Sequence, residues 1–161
     1  MPNYLYLLFC LLILQLICSC TPNNNPSISD KEKIEVLKEK AEHYYNNDYY
    51  KEALNILDEL IEKDSTNGDY FYKRGYCKAF LSDFENSTKD YLKATELGYN
   101  KELTYYTIGL NHENLSNDSM ALKFFDLVLE INPNHTFAKG SKRGILNKLN
   151  DSGAKHSSTI L

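Results

Sequence analysis

Few residues in this 161-residue chain have the types and spacing that chemistry needs. The four histidines, His43, His112, His135 and His156, form no i,i+4 pair with another histidine or a cysteine, so no helix presents a typical metal site. His43 lies near Glu42 and Asp48, but neighbours on a charged helix are ordinarily solvated rather than catalytic. Glycines stand singly, and without a cluster of them no loop cradles a phosphate through its backbone amides. Beyond the first twenty residues Cys77 is the only cysteine, which rules out an intrachain disulfide framework there. It reads as a small buried apolar residue. Asn-x-Ser/Thr triplets begin at Asn86, Asn114, Asn117 and Asn134, among others, as an Asn-rich chain produces by chance. No catalytic residue, metal or cofactor is therefore expected, and the chain is read as no enzyme. What remains is recognition chemistry, carried by 13 tyrosines that pair a broad apolar ring with a polar tip.

Charge narrows the partner. No Asp, Glu, Lys or Arg precedes Asp30, so the net charge of −4 belongs entirely to residues 30–161. Residues 34–67 hold four lysines against nine acids, 68–101 six basic side chains against five acidic, and 102–135 one against five. Lys139, Lys142, Arg143 and Lys148 then make a basic end, which the dipole of a helix C-terminus favours. Nucleic acid is not expected as a partner, because phosphate binding needs a dense cationic face.

The first twenty-nine residues differ in kind. Leu5 to Ile17 is almost wholly apolar, too short for a comfortable bilayer span of about 20 residues but suited to a signal-peptide core. It closes on Ile17-Cys18-Ser19-Cys20, which resembles the bacterial lipoprotein box. That resemblance implies cleavage after residue 19 and acylation of Cys20, leaving a lipid-anchored protein of the cell envelope, for instance at the outer membrane. The same run also suits an uncleaved anchor or an ordinary secretory signal. Residues 20–29, with Pro22, Pro26 and three consecutive asparagines, read as a flexible tether.

From Ser29 the pattern becomes helical. Ser29 and Glu32 have the spacing of a capping box, and Ile34, Leu37, Ala41, Tyr44 and Tyr45 follow at helical period. After Asn46-Asn47-Asp48 a second helical stripe runs through Ala53, Leu54, Leu57, Leu60 and Ile61. This unit recurs at thirty-four residues: Ala41, Gly75 and Gly109 align, as do Leu37, Phe71 and Tyr105, then Ala53, Ser87 and Ala121, then Leu57, Tyr91 and Phe125. Helix pairs of this size bury their stripes only by stacking.

These positions resemble the tetratricopeptide repeat, over about residues 30–135, with the third copy the best match through Tyr105, Ile108, Gly109, Ala121, Phe125, Val128 and Pro133. The resemblance implies an all-α, right-handed solenoid of three helix-turn-helix units (34–67, 68–101 and 102–135). A solvating helix over 136–149 would close it, capped by Thr136 and packed through Phe137, Ser141, Ile145 and Leu149 with its Lys and Arg outward. Residues 151–161 are expected to be disordered. Lys40 and Arg74 replace Ile108, Lys78 and His112 replace the aromatic of Tyr44, and Ser65 and Tyr99 replace Pro133. Long cationic side chains tolerate such places by burying their stems and exposing their heads.

In that family the first helix of each pair lines a concave wall. Carried onto this chain, the wall takes Lys38, Glu42, Tyr45 and Asn46 from the first copy and Asp69, Tyr72 and Tyr76 from the second. The third supplies Leu103, Tyr106, Leu110, Glu113 and Asn114. Some members clamp a partner's C-terminal carboxylate with Lys, Arg and Asn on this wall. Here Lys38 and Lys73 are available, but Glu42, Tyr76, Leu103 and Thr107 stand where further clamp groups belong, which argues against tail binding. The expected function is a membrane-anchored scaffold that binds a protein or peptide. The alternative is a structural subunit of an envelope complex joined through its solenoid edges.

Overall fold

A computed structural model describes residues 29–157; the signal segment, Cys20 and the tether up to residue 28 lie outside the described residues. Seven helices occupy this span and no strand is found among the described residues: α1 (Asp30–Asn46), α2 (Tyr50–Lys63), α3 (Gly68–Phe80), α4 (Phe84–Glu96), α5 (Lys101–Asn114), α6 (Asp118–Ile131) and α7 (Thr136–Ser157). The architecture is the all-α helical solenoid that the period implies. None of these helices is long and apolar enough to cross a membrane.

Helix starts are set by short polar side chains. Ser29 Oγ accepts from the Glu32 amide at 3.2 Å, Asn67 from Asp69 at 3.0 Å, Asn100 from Leu103 at 3.1 Å and Asn117 from Met120 at 3.3 Å. Each satisfies an amide that has no partner within its helix. The abundant asparagines thus have structural work at helix ends.

The link inside each helix pair is the same turn three times. Asp48, Ser82 and Ser116, thirty-four residues apart, adopt φ values of 63°, 64° and 56°. In each case the next amide reaches back five residues: Tyr49 N–H to Tyr44 O (2.9 Å), Asp83 to Lys78 (2.9 Å) and Asn117 to His112 (2.8 Å). These bonds close the preceding helix in a Schellman geometry. The links between pairs differ. α2 and α6 end on extended Asp64 and Asn132, whose amides donate to Leu60 O and Val128 O at 2.8 Å. α4 instead ends through Gly98 at φ 84°, so Tyr99 is not needed as a helix stop and stacks its ring on Tyr72 at 4.7 Å.

Three apolar clusters run along the described chain. Ala41, Ala53, Leu57, Leu60, Tyr70 and Cys77 form the first; Phe71, Tyr91, Ala94, Ile108 and Phe124 anchor the second; Ala121, Phe125, Val128, Ala138 and Ile145 form the third. Ile61 packs against the first two and Tyr105 against the last two, so each repeat is joined only to its neighbours. Fully buried side chains of the size of Phe125 or Leu57 contribute about 1.5–3 kcal/mol each. Gly109 shows why its site is small: a Cβ there would lie 2.5 Å from Phe125 Cε1.

α7 departs from the sequence expectation in its cap, its buried face and its end. Its first turn is capped by His135, not Thr136, for His135 Nδ1 accepts from the Ala138 amide at 3.0 Å. Its buried face holds Ala138 and Ile145, while Phe137 is 72% exposed and Leu149 42%. The reason is register: Ala138 and Ile145 follow Thr104 and Asn111, and Tyr70 and Cys77, at thirty-four residues, and all six are buried. Its Lys139, Arg143 and Lys148 are exposed, and at the surface Lys142 pairs with Asp126 and Lys148 with Asp118 at 2.9 Å. Finally, α7 continues past residue 149 to Ser157, into the expected disordered tail. Apolar period reports burial, whereas a helix continues wherever no Pro or competing cap stops its backbone bonds.

Candidate functional site

The odd-numbered helices α1, α3 and α5 carry the expected wall residues, and two cavities open between them. The first, of about 260 Å³, is bounded by Lys38, Ala41 and Glu42 of α1, Leu57 and Leu60 of α2, Asn67, and Asp69, Tyr70 and Lys73 of α3. Its charges are already matched. Lys73 pairs with both Glu42 and Asp69, the latter at 2.9 Å, and Lys38 pairs with Glu35 at 3.3 Å. Burial works against the Lys73 charge, but its two carboxylate partners outweigh it and hold the ammonium above its usual pKa. The hydrogen bond from Lys73 lowers the Glu42 carboxyl. Asn46, exposed, also donates to Glu42, at 3.1 Å.

The second cavity is larger, about 340 Å³, and its lining holds no charged side chain. Tyr76, Ala79 and Phe80 of α3 face Thr107, Leu110, Asn111 and Asn114 of α5, with Phe84 and Tyr91 of α4 at its base. Asn111 is buried and spends its amide inward, on Phe84 O (3.3 Å), Ser87 Oγ (2.8 Å) and Thr88 Oγ1 (3.1 Å). Asn114 donates to Leu110 O at 2.9 Å.

The wall tyrosines divide by exposure. Tyr72, expected on the wall, is 8% exposed: it stacks on Tyr99 and tilts against Tyr91 at 5.4 Å, so it supports the wall from beneath. Burial raises its phenol to about 12, with Tyr99, Tyr76 and Asp69 adding to the rise. Tyr45 and Tyr76 are half-buried, 5.1 Å apart, and burial likewise raises both phenols. Tyr76 continues into Phe80 at 4.6 Å, and Phe80 stacks on Tyr50 at 4.7 Å. In the third copy Leu103, Tyr106 and Leu110 are half-buried, while Glu113 and Asn114 are exposed. Tyr106 stands 4.9 Å from His135 and 6.5 Å from Phe137.

Two features go beyond the sequence expectations. Phe80 and Phe137 extend the wall with exposed rings, 56% and 72%, although helical spacing alone suggests a packing role for Phe137. Phe137 lies thirty-four residues after Leu103, a wall position, and that spacing is the signal the sequence offers. The second feature is a buried ion cluster. Arg74 donates through Nε and Nη2 to the two oxygens of Asp90 (2.8 and 2.6 Å), Lys78 donates to Asp90 at 2.6 Å, and Arg74 Nη1 reaches Asp58 at 2.7 Å. Asp90 is 5% exposed, so the Arg74 and Lys78 heads turn inward and do not reach for solvent as expected. The signal is compensation between copies. Copy three has Ile108, His112 and Phe124 at the registers of Arg74, Lys78 and Asp90, and there His112 stacks on Phe124 at 5.6 Å. Cys77 is fully buried as expected, and burial raises its thiol to about 12.

Comparison with known proteins agrees with this geometry. Residues 104–135 match the model of the tetratricopeptide repeat. Human sperm-associated antigen 1 is 25% identical over 123 residues, 76% of this chain, and the chain spans only 13% of that relative's length. The TPR domain of Arabidopsis OM64 superposes with a TM-score of 0.65 at 25% identity, over 71% of this chain and 94% of that domain. The first TPR of Spaghetti (RPAP3), bound to the HSP90 peptide SRMEEVD, gives 0.67 at 27% identity, over 76% and 98%. Residues 104–135 thus carry a tetratricopeptide repeat, and the described residues share the helical-solenoid fold of these TPR domains.

Proposed function

We propose that this chain is a protein-interaction scaffold, held at a bacterial envelope membrane by acyl groups on Cys20, that binds a peptide or a neighbouring envelope protein along the concave wall of its repeats. The observation that carries the binding part is the cavity of about 340 Å³ between α3 and α5, walled by Tyr76, Phe80 and Leu110. Amphipathic rings beside an open apolar cleft give contact area at low entropic cost. The similarity to Spaghetti, whose TPR is bound to an HSP90 peptide, supports a peptide or protein as the ligand class. The anchor is supported by the sequence before residue 21 alone. The tether then leaves the wall free to meet a partner near the membrane surface.

Two measurements test the halves separately. Cells fed a fatty-acid probe should label the wild-type chain and not Cys20→Ala; equal labelling removes the anchor. Pull-downs from detergent-solubilised membranes should lose their partner when Tyr76 and Tyr106 are both changed to Ala, and an unchanged partner set removes the wall. Tyr72 is left intact, because its burial would confound binding with stability.

A further inference from the structure

The proposed wall leaves the ligand's chemistry open. We infer that the occupant of the cavity between α3 and α5 is an apolar segment from within a partner chain, anchored by aromatic or large aliphatic side chains, and not a C-terminal carboxylate. This inference rests on the concave-wall reading proposed for the repeats. A carboxylate entering this cavity would lose hydration, and no charged side chain lines the cavity to compensate. The cations of α3 are already engaged: Lys73 by Glu42 and Asp69, and Arg74 and Lys78 by Asp90. The buried amide of Asn111 donates to three acceptors at the start of α4 and is not held ready for a ligand. What the wall does offer is apolar. Phe80 projects at one side of the cavity with 56% of its surface exposed, although it stacks on Tyr50. Beyond Tyr106, Phe137 extends the same kind of surface onto α7 with 72% exposed. An uncharged cleft with the exposed Phe80 ring at its edge, and a second exposed ring, Phe137, beside the wall residue Tyr106, matches an uncharged segment with more than one apolar anchor.

The test is to screen the immobilised full chain against a library of short peptides, each made with a free and with an amidated C-terminus. Retained peptides should share at least two aromatic or large aliphatic residues, and amidation should change their affinity by less than about twofold. Raising the salt from about 50 to about 500 mM should leave it nearly constant. Phe80→Ser and Phe137→Ser should each weaken the best peptide about tenfold or more, with helicity unchanged, while Leu92→Ser on α4 should not. Retention of acidic peptides only in the free-carboxylate form, or affinity that falls steeply with salt, overturns the apolar-segment inference and leaves the wall standing. So does apolar binding that ignores both Phe substitutions. Retention of no peptide at all overturns the inference and the peptide-binding wall together.

Discussion

Gly109 and Gly144 show how one residue type plays opposite parts in the same fold. A methyl group at Gly109 would strike the fully buried Phe125 ring at 2.5 Å, whereas one at Gly144 would meet nothing within 4 Å. Gly109→Ala should therefore lose about 1–3 kcal/mol to overpacking, even after the gain in helix propensity. Gly144→Ala should gain about 0.5–1 kcal/mol. Urea denaturation of the two variants measures both signs. His112 makes a second residue-scale prediction. Its ring is stacked on Phe124, its Nδ1 is buried without a hydrogen-bond partner, and burial lowers its pKa below the usual 6.5. Folding thus favours the neutral ring. Its contribution is complete above the unfolded pKa and declines as pH falls through the lower folded pKa. His112→Tyr, which borrows the residue of Tyr44 in the first copy, should reduce the loss of Tm on going from about pH 7 to about pH 5. An unchanged acid sensitivity would show that His112 is not its source. The small-residue sites are legible in the sequence because they repeat. The demand on His112 is not, since its stacking partner is set by the third dimension.

Among elements, the cluster around Asp90 makes the sharpest test of repeat equivalence. Removing the carboxylate by Asp90→Leu leaves the partly buried Lys78 without its carboxylate and Arg74 with Asp58 alone, and should cost about 3 kcal/mol. Importing copy three's whole solution, R74I/K78H/D90F, should recover most of that loss. If the triple variant is as unstable as the single one, the two registers are not interchangeable. Read one position at a time, Arg74 and Lys78 look like departures from the pattern; together with Asp90 they are one substitution of an ionic set for an aromatic one. The same lesson applies to α7. Its existence and start are legible, but its own apolar residues misplace its buried face, which register with Thr104 and Asn111 determines. The turns at Asp48, Ser82 and Ser116 are invisible as a repeat in residue type, because what recurs there is a left-handed backbone. Ser116→Gly should relieve part of the roughly 1–2 kcal/mol cost of that conformation, offset by the greater freedom of Gly in the unfolded chain. A small rise in Tm is the expected result.

At the scale of the whole molecule, the solenoid is a row of overlapping cores that presents one wall to a partner, in the reading proposed here. Period and small-residue spacing make the architecture legible. The wall is legible only as a set of helix faces, which does not separate the buried Tyr72 from the half-buried Tyr76 or find Phe80 and Phe137. Placement of a photo-crosslinking amino acid in the full chain in cells tests directly whether a partner sits on the wall. Introduced at Leu110, on the α5 side of the larger cavity, it should give a discrete crosslinked product that fades when Tyr76 is changed to Ala. Introduced at the exposed Leu92 of α4, it should give none. Strong crosslinking at position 92 with nothing at 110 would contradict the wall as the binding surface.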